Sequence, residues 1–302
     1  TVDRMQLEDG KSCGPGGDLP GIEVPEDHFV AGVNDTDVIL YISLAFTNAV
    51  APAQEVKSVD FSDPNFNFTG MEIRKTCSGD YLAASAFCST DQNDRPTAAL
   101  MHLCIGEDFF YPANVEKNVM LVMHELGHAL GFNAISLAHF RRWDGTPLTE
   151  RDTTGAIPLT EINCTGPEGQ LQTATVPLPS EEILQFRTVR NGVRVAEVVT
   201  PAVRQAARNH FDCQELPGAE LESGEFLPLS INSSVISCIG DHWERRLFKN
   251  DLMNPIVDEN LMFDPRFSTI TLAYFADSGW YQVDLSRASL AAGWGRAAGC
   301  AF

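Results

Sequence analysis

Val119-Met120-Leu121-Val122-Met123-His124-Glu125-Leu126-Gly127-His128-Ala129-Leu130-Gly131-Phe132 decides how this chain is read. Within it, His124-Glu125-Leu126-Gly127-His128 fits the pattern H-E-x-x-H. Histidines four apart lie one turn apart on the same face of a helix. Both imidazoles can then reach one Zn²⁺ at about 2.0–2.1 Å. Glu125 lies beside them, where a carboxylate can take a proton from water at the metal. Val115, Val119, Val122, Leu126 and Leu130 recur at helical spacing, which predicts a continuous buried stripe on a helix from about Asn114 to Leu130. Gly131 stands where a C-cap glycine would end that helix. The bland alternative is an ordinary helix that carries two histidines by chance. The helical flanks, the terminal glycine and a glutamate placed where the chemistry needs it count against that. The pattern points to a zinc-dependent peptidase.

A chain of 302 residues can bury a substantial core, as two packed lobes or one large domain. Its formal net charge of −20 argues against nucleic acid or an anionic membrane surface as partner. No stretch reads as a transmembrane helix; the longest uncharged run, residues 38–54, contains Ser43, Thr47, Asn48 and Pro52. Thr1 opens no signal-peptide pattern, so the chain reads as a mature, processed form. The eight cysteines (Cys13, Cys77, Cys88, Cys104, Cys164, Cys213, Cys238 and Cys300) form no C-x-x-C pair of the zinc-finger kind. An even number without such pairs reads as a disulfide framework. Sequons for N-glycosylation stand at Asn34, Asn67, Asn163 and Asn232. Together they predict a secreted or cell-surface protein.

Residues 38–42 read as a buried strand, and residues 81–87 and 98–103 as two more, joined by a turn from Asp91 to Pro96. Residues 54–78 read as a loop or short hairpin, and residues 144–180 as a surface insertion. Asn191-Gly192 between two β-branched runs is a hairpin signal. Thr200-Pro201 opens a helix to about His210, and Ser268 caps another to about Ser278.

Two histidines do not complete a catalytic zinc site, which takes three protein ligands and a water. The short pattern H-E-x-x-H-x-x-G-x-x-H fails, because position 134 is Ala134. The residues alone leave His139, His210 and His242 as candidates for the third ligand, with His28 and His102 upstream.

Here the sequence resembles the leishmanolysin-type metzincins, zinc metallopeptidases whose third histidine is displaced by a long insertion after the helix glycine. In that family the third histidine precedes the methionine of the Met-turn by eleven residues. His242-Trp243-Glu244-Arg245-Arg246-Leu247-Phe248-Lys249-Asn250-Asp251-Leu252-Met253 has that spacing, and Asn254-Pro255 resembles the turn that follows. The resemblance implies His242 as third ligand and Met253 as the Met-turn residue, an apolar floor under the histidines. The stretch from Val24 to Phe29 looks like the family's first strand region. Residues 207–213 and 294–302 also match family segments.

The fold so implied is α+β and metzincin-like, with two lobes around an active-site cleft. Residues 1–132 would form an N-terminal catalytic lobe with a mixed twisted sheet and the zinc helix. Residues 133–302 would form an irregular and helical C-terminal lobe, with an insertion at about 144–240, the third ligand and the Met-turn. The implied activity is endopeptidase: Glu125 activates water, one Zn²⁺ per chain is the cofactor, and proteins or peptides are the substrates. An extended substrate would lie along an edge strand, taken as Ala98 to Leu103, with Ile256 and Val257 lining the pocket beyond the scissile bond.

The resemblance also implies disulfides Cys13–Cys88 and Cys213–Cys300. Pairing Cys77 with Cys104 and Cys164 with Cys238 keeps the remaining bonds inside one lobe each. The acidic run Asp258-Glu259-Asn260 offers a Ca²⁺ site, with a solvated acidic surface as the plainer reading. A monomer is expected, with a separate N-terminal segment conceivable and membrane association only through an anchor outside this sequence. The rival class is a latent or non-enzymatic adhesion module on the same scaffold. The intact Glu125 speaks against it. A hydrolase of another amide, such as a deformylase, is disfavoured by the long insertions and the Met-turn.

Overall fold

The computed structural model of the chain describes residues 12–14, 21–46, 55–59, 68–72, 82–106, 109, 111–165, 171–189, 193–223, 239–255, 267–289 and 293–302. It is an α+β protein of several small sheets and few helices, divided into two compact units.

The first unit takes in residues 12–14, 21–89 and 97–129. Strands β1 (Ser12–Cys13) and β2 (Ile22–Glu23) pair antiparallel, and a short helix α1 (Glu26–Val30) follows. That helix occupies the stretch expected to be a strand; Glu26 and Asp27 in its first turn suit the helix dipole. Next come β3 (Ile39–Phe46) and an antiparallel hairpin of β4 (Glu55–Val59) and β5 (Phe68–Glu72). After these come β6 (Ala83–Thr90) and β7 (Pro96–Ile105), and then helix α2 (Val115–Ala129).

The main sheet has the order β3-β7-β6. β7 is therefore its middle strand, paired parallel with β3 from Ile39↔Ala98 to Phe46↔Ile105. The expectation that Ala98 to Leu103 forms an edge is overturned: every residue of β7 is buried. Its two faces serve two clusters. Ala98 and Leu100 pack with Cys13 and Val24, while Met101, Leu103 and Ile105 pack with Leu40, Leu44 and Val122. A near-continuous apolar run is what a strand covered on both faces requires.

Helix α2 forms within a residue of its expected limits, but its buried stripe is not the one the apolar spacing suggests. Val115, Val119 and Leu126 are exposed, and the buried residues are Leu121, Glu125, Gly127, His128 and Ala129. At 100° per residue the buried face is rotated from the apolar stripe by about a third of a turn, with Val122 at the shared edge. The helix buries the face that carries its polar groups.

The second unit takes in residues 90–96 and 130–302. It holds α3 (Ala134–Leu137), the hairpin of β8 (Leu159–Thr165) and β9 (Leu171–Pro177), and β10 (Leu184–Val189) and β11 (Val193–Val198). Helix α4 (Pro201–Phe211), β12 (Ala219–Ser223), β13 (Ile239–Trp243) and helix α5 (Thr269–Asp277) complete it. This unit is more strand-rich than the irregular, helical lobe expected. β10, β11, β12 and β13 make a four-stranded antiparallel sheet in that order. Residues 144–180 are likewise organised by the β8–β9 hairpin. β10 and β11 pair antiparallel out to Val189↔Val193, and the Asn191-Gly192 pair between them lies outside the described residues.

The core of this unit is aromatic. The Phe132 ring lies 4.3 Å from Tyr274 and 5.1 Å from Trp243, centroid to centroid, and Phe140 packs on Tyr274 at 5.0 Å. Ser268 caps α5 by accepting from the N–H groups of Ile270 and Thr271. Thr200 precedes α4 without a side-chain cap bond; Asp277 at the end of α5 accepts from Ala202 and Val203 instead, at 2.8 and 3.0 Å. Disulfides join Cys13 to Cys88 and Cys213 to Cys300, with Cα atoms 5.3 and 5.0 Å apart. Cys104 is disulfide-bonded too. Cys77, Cys238 and the side chain of Cys164 lie outside the described residues. Among the described residues no helix is long and apolar enough to cross a membrane.

Candidate metal centre

On α2 the Nε2 atoms of His124 and His128 lie 3.1 Å apart. Two ligands of a tetrahedral ion at about 2.0–2.1 Å stand about 3.3 Å from each other. The pair therefore has nearly the spacing that one shared cation needs. Glu125, between them in sequence, is 3 % exposed. Its Oε2 has no hydrogen-bond partner among the described residues, and burial pushes its carboxyl up to about 8. A cation nearby acts in the opposite direction and favours the carboxylate. An orphaned buried carboxylate oxygen next to two convergent imidazoles is what a metal and its water would satisfy.

The end of the helix is fastened by tyrosine hydroxyls that donate to its exit carbonyls. Gly131 has φ +102°, the left-handed region that lets a chain leave a helix, and a Cβ there would meet Trp280 at 3.0 Å. Tyr281 OH donates to Leu130 O at 3.0 Å, and Tyr274 OH donates to Gly131 O at 2.9 Å. Burial raises both phenols far above their ordinary range, so they stay protonated donors. Neither tyrosine was singled out by the sequence.

His242 lies on β13 and is buried. Its Nδ1 is 2.6 Å from Glu222 Oε1 on β12. The next residue, Trp243, is fully buried; its N–H donates to Met253 O at 2.9 Å and its Nε1–H to Thr271 Oγ1 at 2.9 Å. Met253 sits in a turn with no exposed surface, its N–H held by Asp251 Oδ1 at 2.7 Å. Asp251 also accepts from Thr271 Oγ1 at 2.7 Å and from Ser268 Oγ. Burial pushes its carboxyl up to about 6, against these hydrogen bonds, which pull the other way.

His124, His128 and His242 each offer a ring nitrogen, all within 4.8 Å of one another, and could hold one metal ion. The other histidines are engaged elsewhere. His28 Nδ1 meets Tyr41 OH at 2.7 Å, and His102 Nδ1 meets Ser43 Oγ at 3.0 Å. His139 Nδ1 lies 3.4 Å from Asp94, and His210 Nε2 lies 2.9 Å from Trp294 O. Asn34 and Asn163 are exposed; Asn67, Asn232, Ile256, Val257 and the acidic run at 258–260 lie outside the described residues.

The sequence model of the leishmanolysin peptidase family matches residues 53–302. The chain belongs to the leishmanolysin family. Members of that family are zinc metallopeptidases, whose substrates are proteins or peptides. The chain is 32% identical over 254 residues to a leishmanolysin-like peptidase of Drosophila melanogaster, covering 83% of this chain and 34% of that protein. It is 30% identical over 275 residues to a leishmanolysin-like peptidase of Caenorhabditis elegans, covering 90% and 35%. It is 30% identical over 223 residues to the human ciliated left-right organizer metallopeptidase, covering 73% and 23%. The chain thus spans about a third of the length of the leishmanolysin-like peptidases it matches.

Proposed function

We propose that this leishmanolysin-family chain is a zinc-dependent endopeptidase, with His124, His128 and His242 as metal ligands and Glu125 as the general base. The observation that carries the reading is the convergence of three imidazoles, together with a buried glutamate whose Oε2 has no partner among the described residues. Bound there, Zn²⁺ supplies Lewis acidity that polarises a peptide carbonyl and lowers the pKa of water from 15.7 to about 7.

The chain's own residues do the rest. The three imidazoles act as neutral nitrogen donors. Glu125 accepts the proton of the attacking water at its free Oε2 as the oxygen adds to the carbonyl carbon. It then delivers that proton to the leaving amine nitrogen as the C–N bond breaks. The fastened exit of α2 at Leu130 and Gly131 holds His128 in place, and the buried turn at Met253 supports β13 behind His242. The division at residue 132 into a lobe with the zinc helix and a lobe with third ligand and Met-turn belongs to the same proposal. So does a secretory route, which the disulfides support. An extended substrate pairs with an outer strand of the main sheet, β3 or β6, since β7 is occupied on both sides.

The test is cleavage of a quenched fluorescent peptide library with metal content read in parallel. The expected result is about one zinc per chain, activity lost on chelation, and activity recovered on adding zinc back. Cleavage that survives full removal of metal would contradict the reading; zinc bound without cleavage would favour a latent or binding module.

A further inference from the structure

The geometry points to Glu222 as a positioning residue that fixes which nitrogen of His242 faces the metal, an inference that rests on the zinc-site reading above. A carboxylate can only accept, so the 2.6 Å contact between Glu222 Oε1 and His242 Nδ1 places the ring proton on Nδ1. Nε2 is then the nitrogen that would turn its lone pair to a cation. A carboxylate behind an imidazole also fixes the ring's orientation.

The local fold is built around this contact. β12 and β13 pair at Leu221↔Trp243 and again at Ser223↔Ile239. Between those pairs β12 has one residue, Glu222, and β13 has three: Gly240, Asp241 and His242. The extra residues form a bulge opposite Glu222, and bulges re-aim side chains next to functional sites. Gly240 makes the approach possible. A Cβ at that position would fall 2.0 Å from Glu222 Cγ and 2.5 Å from Glu222 O, so only glycine lets the Glu222 side chain cross β13.

The main chain on either side of His242 is pinned as well. Asp241 Oδ1 accepts from Ala134 N–H at 2.7 Å, and Trp243 is held by Met253 O and Thr271 Oγ1. Glu222 then acts on the ring itself, through its contact with Nδ1. No sequence pattern marks Glu222; it lies twenty residues from His242 and in no motif.

The experiment measures Zn²⁺ affinity by competition with a chromophoric chelator in the full chain and in Glu222→Ala, Glu222→Gln, Glu222→Asp, Gly240→Ala and His242→Ala. The Co²⁺-loaded visible spectrum and the melting temperature of the metal-stripped chain are recorded alongside. Glu222→Ala and Gly240→Ala are expected to weaken Zn²⁺ binding about 10–100-fold and to shift the Co²⁺ band. The metal-stripped Glu222→Ala chain should melt near the wild type, which a merely structural role would not permit. Glu222→Gln keeps an oxygen that accepts from Nδ1–H and should recover most of the affinity; Glu222→Asp, one methylene too short, should not.

Wild-type Zn²⁺ affinity in Glu222→Ala overturns the inference. Should that variant fail to fold, Glu222→Asp binding as tightly as Glu222→Gln overturns it. His242→Ala separates the two claims. If it too binds zinc like the wild type, the zinc-site reading fails. If it loses zinc while Glu222→Ala does not, only the role of Glu222 falls.

Discussion

Replacing Asp94 by asparagine removes one charge from the turn between β6 and β7 and leaves the side chain's shape intact. Asp94 adopts φ +62°, a left-handed conformation that asparagine tolerates equally, so the substitution adds no backbone strain. Its carboxylate accepts from Arg141 Nε and Nη2 at 2.9 and 2.6 Å and from Arg151 Nη2 at 2.9 Å. Burial alone would raise this carboxyl. Hydrogen bonds from His139 and Arg141 and the charge of Arg151 outweigh it and hold the pKa at about 2, below the ordinary 3.8. A depressed carboxyl stabilises the fold above its unfolded pKa and loses that contribution as pH falls through the folded one. The gap corresponds to about 2.4 kcal/mol at 1.36 kcal/mol per unit, and partial exposure of the side chain trims it to about 2 kcal/mol. Urea denaturation followed by tryptophan fluorescence measures it. Asp94→Asn should lose about 2 kcal/mol at pH 7, and about half that relative to wild type at pH 3. No loss at pH 7, or the same loss at both pH values, would refute the argument.

Three further outcomes follow from the second unit's core. Phe132→Ala empties a buried site between Trp243, Tyr274 and Phe275 and should cost about 3–5 kcal/mol in denaturant unfolding. Tyr274→Phe keeps the ring but removes one of the two donors to Gly131 O, which keeps its 3.1 Å bond from Asn133 N–H; a loss of about 1 kcal/mol is expected, and no measurable loss would deny the bond its role. Replacing Cys213 and Cys300 together by alanine opens a link between residues 87 apart in sequence. The melting temperature should fall by an amount equivalent to at most about 4–5 kcal/mol, and an unchanged one would show that the bond contributes nothing.

Much of this architecture was legible where the rules that make it are local. The ends of α2, the Ser268 cap, the Thr200-Pro201 entry to α4 and the antiparallel pairing of β10 with β11 each depend on a few neighbouring residues. The misreadings were non-local. β7 is central because β3, more than fifty residues earlier, pairs along it; the unbroken apolar run from Ala98 to Met101 was the signal that could have said so. The apolar spacing of α2 points to Val115, Val119 and Leu126 as its inward face, yet the helix exposes these and buries Glu125 and His128, which no spacing along one helix announces. Glu222, Asp241, Tyr274 and Tyr281 left no trace in the sequence, since their roles arise from a bulge and from helix packing. Among the histidines, spacing alone left several candidates for a third ligand; the hydrogen bonds of His28, His102 and His210 show those three occupied elsewhere.

The most direct test of the account is the specificity constant of Glu125→Gln on the best library peptide, with bound zinc measured on the same sample. The account predicts zinc content close to that of the wild type and kcat/KM lower by about 10²–10⁴-fold, the usual contribution of a positioned general base. Wild-type cleavage by Glu125→Gln, with zinc in place, would contradict it.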